Sequence, residues 1–154
     1  LIEGLDFTPM QLGLFFAGTV MIVFSAGIIA TKIVPHLGLD RSICIGLALA
    51  CVGGGMVLLF ALFDGSFLPF LAGACVFLLG MGMVNPLCSA QTLSPFGDRA
   101  GAASALLGFW QMLAAALGVS FAAVIAKDPM IGLGLVLVLA SILASAIYQF
   151  RRKG

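Results

Sequence analysis

Residues 41–62 read RSICIGLALACVGGGMVLLFAL, from Arg41 to Leu62, and after Arg41 no side chain in the stretch carries a charge. A helix rises about 1.5 Å per residue, so roughly 20 such residues cross the ~30 Å hydrocarbon layer of a bilayer. Outward from this stretch the same length and character recur at residues 8–34, 67–92, 100–126 and 129–150. None of these runs holds an ionised side chain near its middle. A hydrophobic share of 62%, a charged share of 8% and a mean hydropathy of +1.25 agree with that reading. Helices of a large soluble core would need polar outer faces, which these runs lack. The expected fold class is therefore an all-α membrane protein with five transmembrane helices.

Charge predicts the orientation. With five crossings, Lys32, Arg41, Arg99, Arg151, Arg152 and Lys153 fall on the side of the carboxyl terminus, and Lys127 alone falls opposite. Cytoplasmic loops are enriched in Lys and Arg, so the amino end is expected outside and the carboxyl end in the cytoplasm. Lys32, just before the first break, can snorkel to the interface along its own stem. Glu3, Asp6, Asp64 and Asp128 fall outside. A net charge of +1, with the basic residues spread along one membrane face, gives no reason to expect nucleic acid as a partner.

The connections are short. Thr8-Pro9 sets a capping hydroxyl before a proline at the first helical position. The segment Pro35-His36-Leu37-Gly38-Leu39-Asp40 is expected to stop the first helix, with Asp40 capping the second. Ser66 caps the third after the turn Asp64-Gly65-Ser66, and residues 94–99 form the second cytoplasmic turn. Lys127-Asp128-Pro129 is so short that the fourth and fifth helices must be antiparallel neighbours. Residues 1–154 thus form one helical membrane domain with no soluble insertion. The start at Leu1 without a signal peptide, and the odd number of spans, suggest a piece of something larger.

The helices differ in polarity. The second has almost no polar side chain beyond Ser42, and the fifth has Ser141, Ser145, Tyr148 and Gln149; both are expected to face lipid over much of their circumference. Gln11, Gly18, Ser25 and Lys32 recur every seven residues on the first helix. Met81, Asn85, Cys88 and Thr92 share one face of the third, and Ser104, Gly108, Gln111, Ala115 and Gly118 a stripe of the fourth. An amide within a bilayer needs a partner or water, so Asn85 and Gln111 should point inward. Helices one, three and four are therefore expected to line a cavity or interface. Small residues at such spacing also serve close packing, which competes with a cavity role for Ser104, Gly108, Ala115 and Gly118. For Asn85, which precedes Pro86, a structural hinge stands beside a substrate-facing role. Gly53-Gly54-Gly55 reads as a site of close packing or bending.

Cys44, Cys51, Cys75 and Cys88 lie in helices without C-x-x-C spacing and read as small buried hydrophobes. His36, the single histidine, reads as an interfacial residue of the first cytoplasmic turn. No metal-ligand spacing, paired intramembrane carboxylate or nucleophile–base set is present in the sequence. Neither catalysis, a metal nor a cofactor is expected.

Two stretches resemble a known family: Gly80-Met81-Gly82-Met83-Val84-Asn85-Pro86, and the run from Ser94-Pro95-Phe96-Gly97-Asp98-Arg99 through Ala100-Gly101-Ala102-Ala103-Ser104-Ala105-Leu106-Leu107-Gly108-Phe109. They are similar to the Bcr/CflA type of drug–proton antiporter in the major facilitator superfamily, with its Gly-rich tenth helix and A-G-x-A-S-A-L eleventh helix. The resemblance covers the whole chain as the last five of twelve helices. It implies two six-helix halves around a cavity that opens alternately to each side. Helices eight, ten and eleven would line the cavity or the interface between halves, with nine and twelve outside. The loop from Lys32 to Arg41 would match the degenerate second copy of the cytoplasmic motif A at Gly38 and its basic flanks, although the motif's early acidic residue is absent. The proton-coupling acids would lie in the amino-terminal half, beyond this chain.

The resemblance therefore implies the carboxyl-terminal part of a proton-coupled multidrug efflux transporter in a bacterial inner membrane. Its partners would be the lipid bilayer, the proton gradient and an amphiphilic drug. Phe109, Trp110 and Met81 would supply adaptable apolar contact, Asn85 and Gln111 orienting hydrogen bonds, and Ser25 a further polar group. An importer or metabolite exporter of the same superfamily, or a small non-transporting membrane subunit, are the alternatives.

Overall fold

The computed structural model describes residues 9–63, 67–125 and 129–153, and apart from Gly38 every one of these is helical. The helices are α1 (Pro9–Leu37), α2 (Leu39–Phe63), α3 (Phe67–Leu93), α4 (Ala100–Ile125) and α5 (Pro129–Lys153), with a 3₁₀ segment, Ser94–Arg99, joining α3 to α4. Four continuous helical runs are long and apolar enough to cross a membrane: Phe16–Leu37, Leu39–Phe63, Leu68–Ile125 and Met130–Arg151. The chain has the character of a multi-pass, membrane-embedded helical protein.

The break between α1 and α2 is tighter than the sequence suggests. Helix α1 continues through Pro35 to Leu37. Having no N–H, Pro35 leaves the Thr31 carbonyl without its helical donor, and the helix still runs two residues further. Termination falls to Gly38, whose φ of 82° is left-handed and whose N–H donates to the Val34 carbonyl at 2.9 Å, the αL form of helix ending. Asp40 is not the cap of α2. It lies in the first turn, where the Tyr148 hydroxyl of α5 donates to its Oδ1 at 2.7 Å. The Gly38 carbonyl instead receives the Ser42 N–H at 3.2 Å and the Ser42 hydroxyl at 2.8 Å. The second turn is helical in the 3₁₀ sense, broken at Gly97 with φ 21° and ψ −101°. The expected cap Thr8, the turn Asp64-Gly65-Ser66 and the residues Lys127 and Asp128 lie outside the described residues.

Packing runs α1 on α3, α3 on α2, α2 on α5 and α5 on α4, with α2–α3 the most extensive seam. That seam is backbone against backbone. A methyl added to Gly80 would sit 2.5 Å from the Ala50 nitrogen and the Gly46 carbonyl oxygen, and one added to Gly53 would overlap the Phe77 backbone. Gly73 faces Val57 in the same way. The spacing is four, three, four on both helices: Gly46, Ala50, Gly53, Val57 on α2 and Gly73, Phe77, Gly80, Val84 on α3. Such rows let helices approach closely enough for dispersion along their whole length. The α2–α5 seam repeats the device. Gly54 meets Leu137, and Gly134 meets Leu58. Cys51 Sγ lies 3.5 Å from Ser145 Oγ. Ser141, fully buried, donates to the Leu137 and Val138 carbonyls of its own helix.

This corrects the expectation that the second helix is an outer, lipid-facing one. Helix α2 lies between α3 and α5 and buries Ser42, Ile43, Gly46, Leu47, Ala50, Gly53, Gly54 and Val57. Polarity misleads here because a bilayer is as apolar as a helix interface, and residue size, not polarity, separates a packed face from a lipid-facing one. Helix α5 does leave Leu139, Ile142, Leu143 and Ile147 exposed, as expected of an outer helix. The opposite case is α4, which buries no residue at all. Of its small-residue stripe, Gly118 approaches Val136 of α5, and nothing stands beside Gly108. In Gly53-Gly54-Gly55 the first two are packing positions and Gly55 faces open space.

Candidate functional site

Helices α3 and α4 leave the 3₁₀ segment side by side but hardly touch beyond it, because each is drawn to a different neighbour, α3 to α2 and α4 to α5. Between them opens a cleft of about 580 Å³ lined by Asn85, Pro86 and Ser89 of α3 and by Gln111, Met112 and Ala114 of α4. It brings together the two amides singled out in the sequence, from positions 26 residues apart. Neither amide is hydrogen-bonded to any described residue. Helical periodicity places Asn85 and Ser89 one above the other on α3.

Pro86 contributes to the geometry without breaking the helix. Having no N–H, it leaves the Gly82 carbonyl without its helical donor. That carbonyl faces α1, 3.6 Å from where a Gly27 side chain would begin. Thus α3 meets α1 at Gly82 and, three residues on, presents Asn85 to the cleft. The hinge and cleft-lining readings of Asn85-Pro86 are compatible in this arrangement.

The remaining candidates stand apart from the cleft. Trp110 belongs to a smaller apolar pocket of about 200 Å³ at the 3₁₀ end of α4, with Leu93, Phe96, Ala103, Leu106 and Leu107 among its walls. Phe109 packs edge-to-face on Trp110, with ring centroids 6.0 Å apart at 72°, and both rings are exposed. Met81 is half-buried, one turn before Asn85, and lines neither space. Ser25 is exposed on α1 and donates to the Met21 carbonyl at 2.7 Å. Helices α1 and α4 make no contact among the described residues, so Ser25 and Gln111 do not share a site. Gly18, Ser25 and Lys32 form an exposed face of α1, and Ala26 and Ala30 pack into the core instead. The Gln11 side chain lies outside the described residues.

Ser89, Met112 and Ala114 are the lining residues that sequence reasoning missed. Ser89 follows Asn85 by one turn, which was a readable signal; Met112 and Ala114 carried none.

Chemically the cleft offers two carboxamides, each a donor and an acceptor, and one hydroxyl, with no ionisable group on its walls. It can orient an uncharged polar group through hydrogen bonds while Met112 and Pro86 contact apolar surface. It has no side chain for proton transfer. Among the described residues no group of His, Cys, Asp and Glu is placed to hold a metal ion. The four cysteines are half-buried free thiols.

No protein family, curated protein or solved structure matches the chain. The helices and the cleft define the class: a multi-pass helical membrane protein with a polar cleft between two of its helices.

Proposed function

We propose that the chain is the carboxyl-terminal part of a proton-coupled multidrug efflux transporter of the major facilitator superfamily, working by alternating access in a bacterial inner membrane. The observation that carries the reading is the convergence of Asn85, Ser89 and Gln111 on one cleft of about 580 Å³ in an otherwise apolar bundle. Unpaired amides at membrane depth need water or a ligand, and a cleft open to passing solutes supplies both. In this reading Asn85 and Gln111 orient the substrate and the coupling acids lie in the amino-terminal half.

The helix arrangement supports a five-crossing, half-of-a-pair architecture. The run Leu68–Ile125 holds 58 residues. As one straight helix it would extend about 87 Å, about three times the hydrocarbon thickness. The non-helical Gly97 within it marks a turn between two crossings. In this reading the pairs α1–α2 and α4–α5 would be the matching parts of two inverted repeats, as in many transporters. Helix α3 fills the groove on the first pair. The second pair keeps an empty apolar groove of about 290 Å³, lined by Leu117, Gly118, Phe121, Val136, Leu139, Ala140 and Leu143. In this reading that groove would seat a further helix of the transporter. Lys32, Arg41, Arg99 and Arg151 lie at the end of the bundle that holds Gly38 and the 3₁₀ segment, which favours a cytoplasmic carboxyl terminus and an external amino terminus.

The test is expression of the full-length protein in a pump-deficient bacterium, with susceptibility and accumulation measured across cationic and phenicol-like drugs. A lowered accumulation that collapses when the proton gradient is dissipated is expected. No change for any drug argues against efflux and leaves import or metabolite export by the same architecture as the next reading.

A further inference from the structure

The cleft of Asn85 and Gln111 is one level of a longer gap. Along α3, Asn85, Ser89 and Thr92 step by four and three residues toward the 3₁₀ segment. Along α4, Ala114, Gln111 and Leu107 step back toward the same segment by three and four. Those spacings keep each set on one face of its helix. Asn85, Ser89, Gln111 and Ala114 line the cleft, and Thr92 and Leu107 line the apolar pocket of about 200 Å³. The pocket is therefore the next level of the same α3–α4 gap, about 8 Å nearer the 3₁₀ segment by helical rise. The chemistry changes between the two levels. The cleft presents two carboxamides and a hydroxyl, whereas the pocket presents Leu93, Phe96, Leu106, Leu107 and Trp110, with Thr92 its one polar residue. Neither α3 nor α4 carries a charged residue anywhere along its length.

We propose that the pocket beside Trp110 is a second subsite of the cleft, and that the two together take an uncharged amphiphile with a hydrogen-bonding group at one end and a flat apolar ring at the other. This rests on the reading of the cleft as a solute site. A carboxamide or hydroxyl of the solute exchanges hydrogen bonds with Asn85 and Gln111, neither of which is bonded to a described residue. Its ring lies in the pocket against Trp110, where an aromatic wall favours an aromatic guest. Trp110 thus selects the ring, and Gln111, its neighbour in the chain, selects the polar end. Other occupants fit one level only. A lipid acyl chain, or a packing helix with apolar side chains, would fill the pocket and leave the two amides unpaired. A cation would meet no carboxylate at either level, so its desolvation would go uncompensated.

The test uses the purified full-length protein in detergent micelles and the probe 5-(4-azidophenyl)pentanamide, whose carboxamide and photoreactive ring are joined by a methylene chain. After illumination the labelled residues are located by mass spectrometry, and label is expected between Thr92 and Trp110. Gln111→Leu should lower that labelling about fivefold, the worth of one net hydrogen bond. Trp110→Ala, and Ala103→Phe, which fills the pocket, should each lower it about tenfold. Trp110 and Gln111 are both exposed, so their substitution disturbs no packing. A competition that needs no variant completes the test: 5-phenylpentanamide should displace the probe at least about tenfold better than the cationic 5-phenylpentylamine. Absence of label in that stretch would overturn the subsite. So would label indifferent to Gln111→Leu, the behaviour of an acyl-chain site, or equal competition by the amine. Labelling is read without transport, so the two readings fail separately. Label at the pocket of a protein that moves no drug would sink efflux and keep the site, and proton-linked efflux without such label would sink the site alone.

Discussion

Gln111 and Gly80 mark two opposite demands on a single residue. Gln111 contributes an amide to the cleft and makes no hydrogen bond to a described residue, so Gln111→Ala removes no internal bond. The expected outcome is normal membrane abundance with an altered substrate profile, read as transport normalised to protein level. Reduced abundance with unchanged normalised transport would make Gln111 structural glue. Gly80 is the reverse case: a Cβ there would press on the Ala50 and Gly46 backbones. Gly80→Ala should destabilise the bundle by about 1–3 kcal/mol, the range for overpacking a tight interface. Gly108→Ala, on an open face of α4, should stay within about 0.5 kcal/mol. Unfolding of the purified variants in mixed micelles measures both, and equal effects would refute the seam.

For the elements, the sequence made lengths and turns legible and left the burial order hidden. Runs of apolar residues had only to be counted against the thickness of a bilayer, and the observed ends of α2 and α3 differ from the expected ones by one or two residues at most. The enclosure of α2 was not legible from polarity, because lipid and protein interior reward the same side chains. It was legible in size, in the rows Gly46-Ala50-Gly53 and Gly73-Gly80, when read as packing surfaces. Asn85 and Gln111 could be nominated because amides are conspicuous in such company. Ser25 was nominated by the same logic but forms a bond to its own helix that a serine can always make. Asp40 was mistaken for a cap because its true partner, Tyr148, is 108 residues away. Tyr148→Phe should therefore loosen the ends of α2 and α5 together, at a cost of about 1 kcal/mol. Hydrogen exchange should quicken at both ends in the variant, and a change confined to α5 would contradict the tie.

At the scale of the molecule, one end of the bundle gathers Lys32, Arg41, Arg99 and Arg151 with Gly38 and the 3₁₀ segment. Single cysteines introduced at His36 and Ser94, in a protein otherwise free of cysteine, are expected to react with an impermeant maleimide only after the cells are opened. Labelling of either in intact cells would invert the proposed orientation.

The α2–α3 seam has a mechanical meaning as well. Packed helices usually absorb a displacement by letting interfacial side chains swing to new rotamers. Where glycine meets backbone at Gly53 and Gly80 there is no side chain to swing, and at Gly46 and Gly73 the nearest side chains are those of Val84 and Val57. The two helices are therefore expected to move as one body along this seam. Bending is more readily taken up at Gly97, where the backbone departs from helical angles and no side chain crowds it, and at Pro86 in α3. The wall of the cleft carrying Asn85 thus continues the α2–α3 seam, and the wall carrying Gln111 is held by α5 and joined to the first through Gly97.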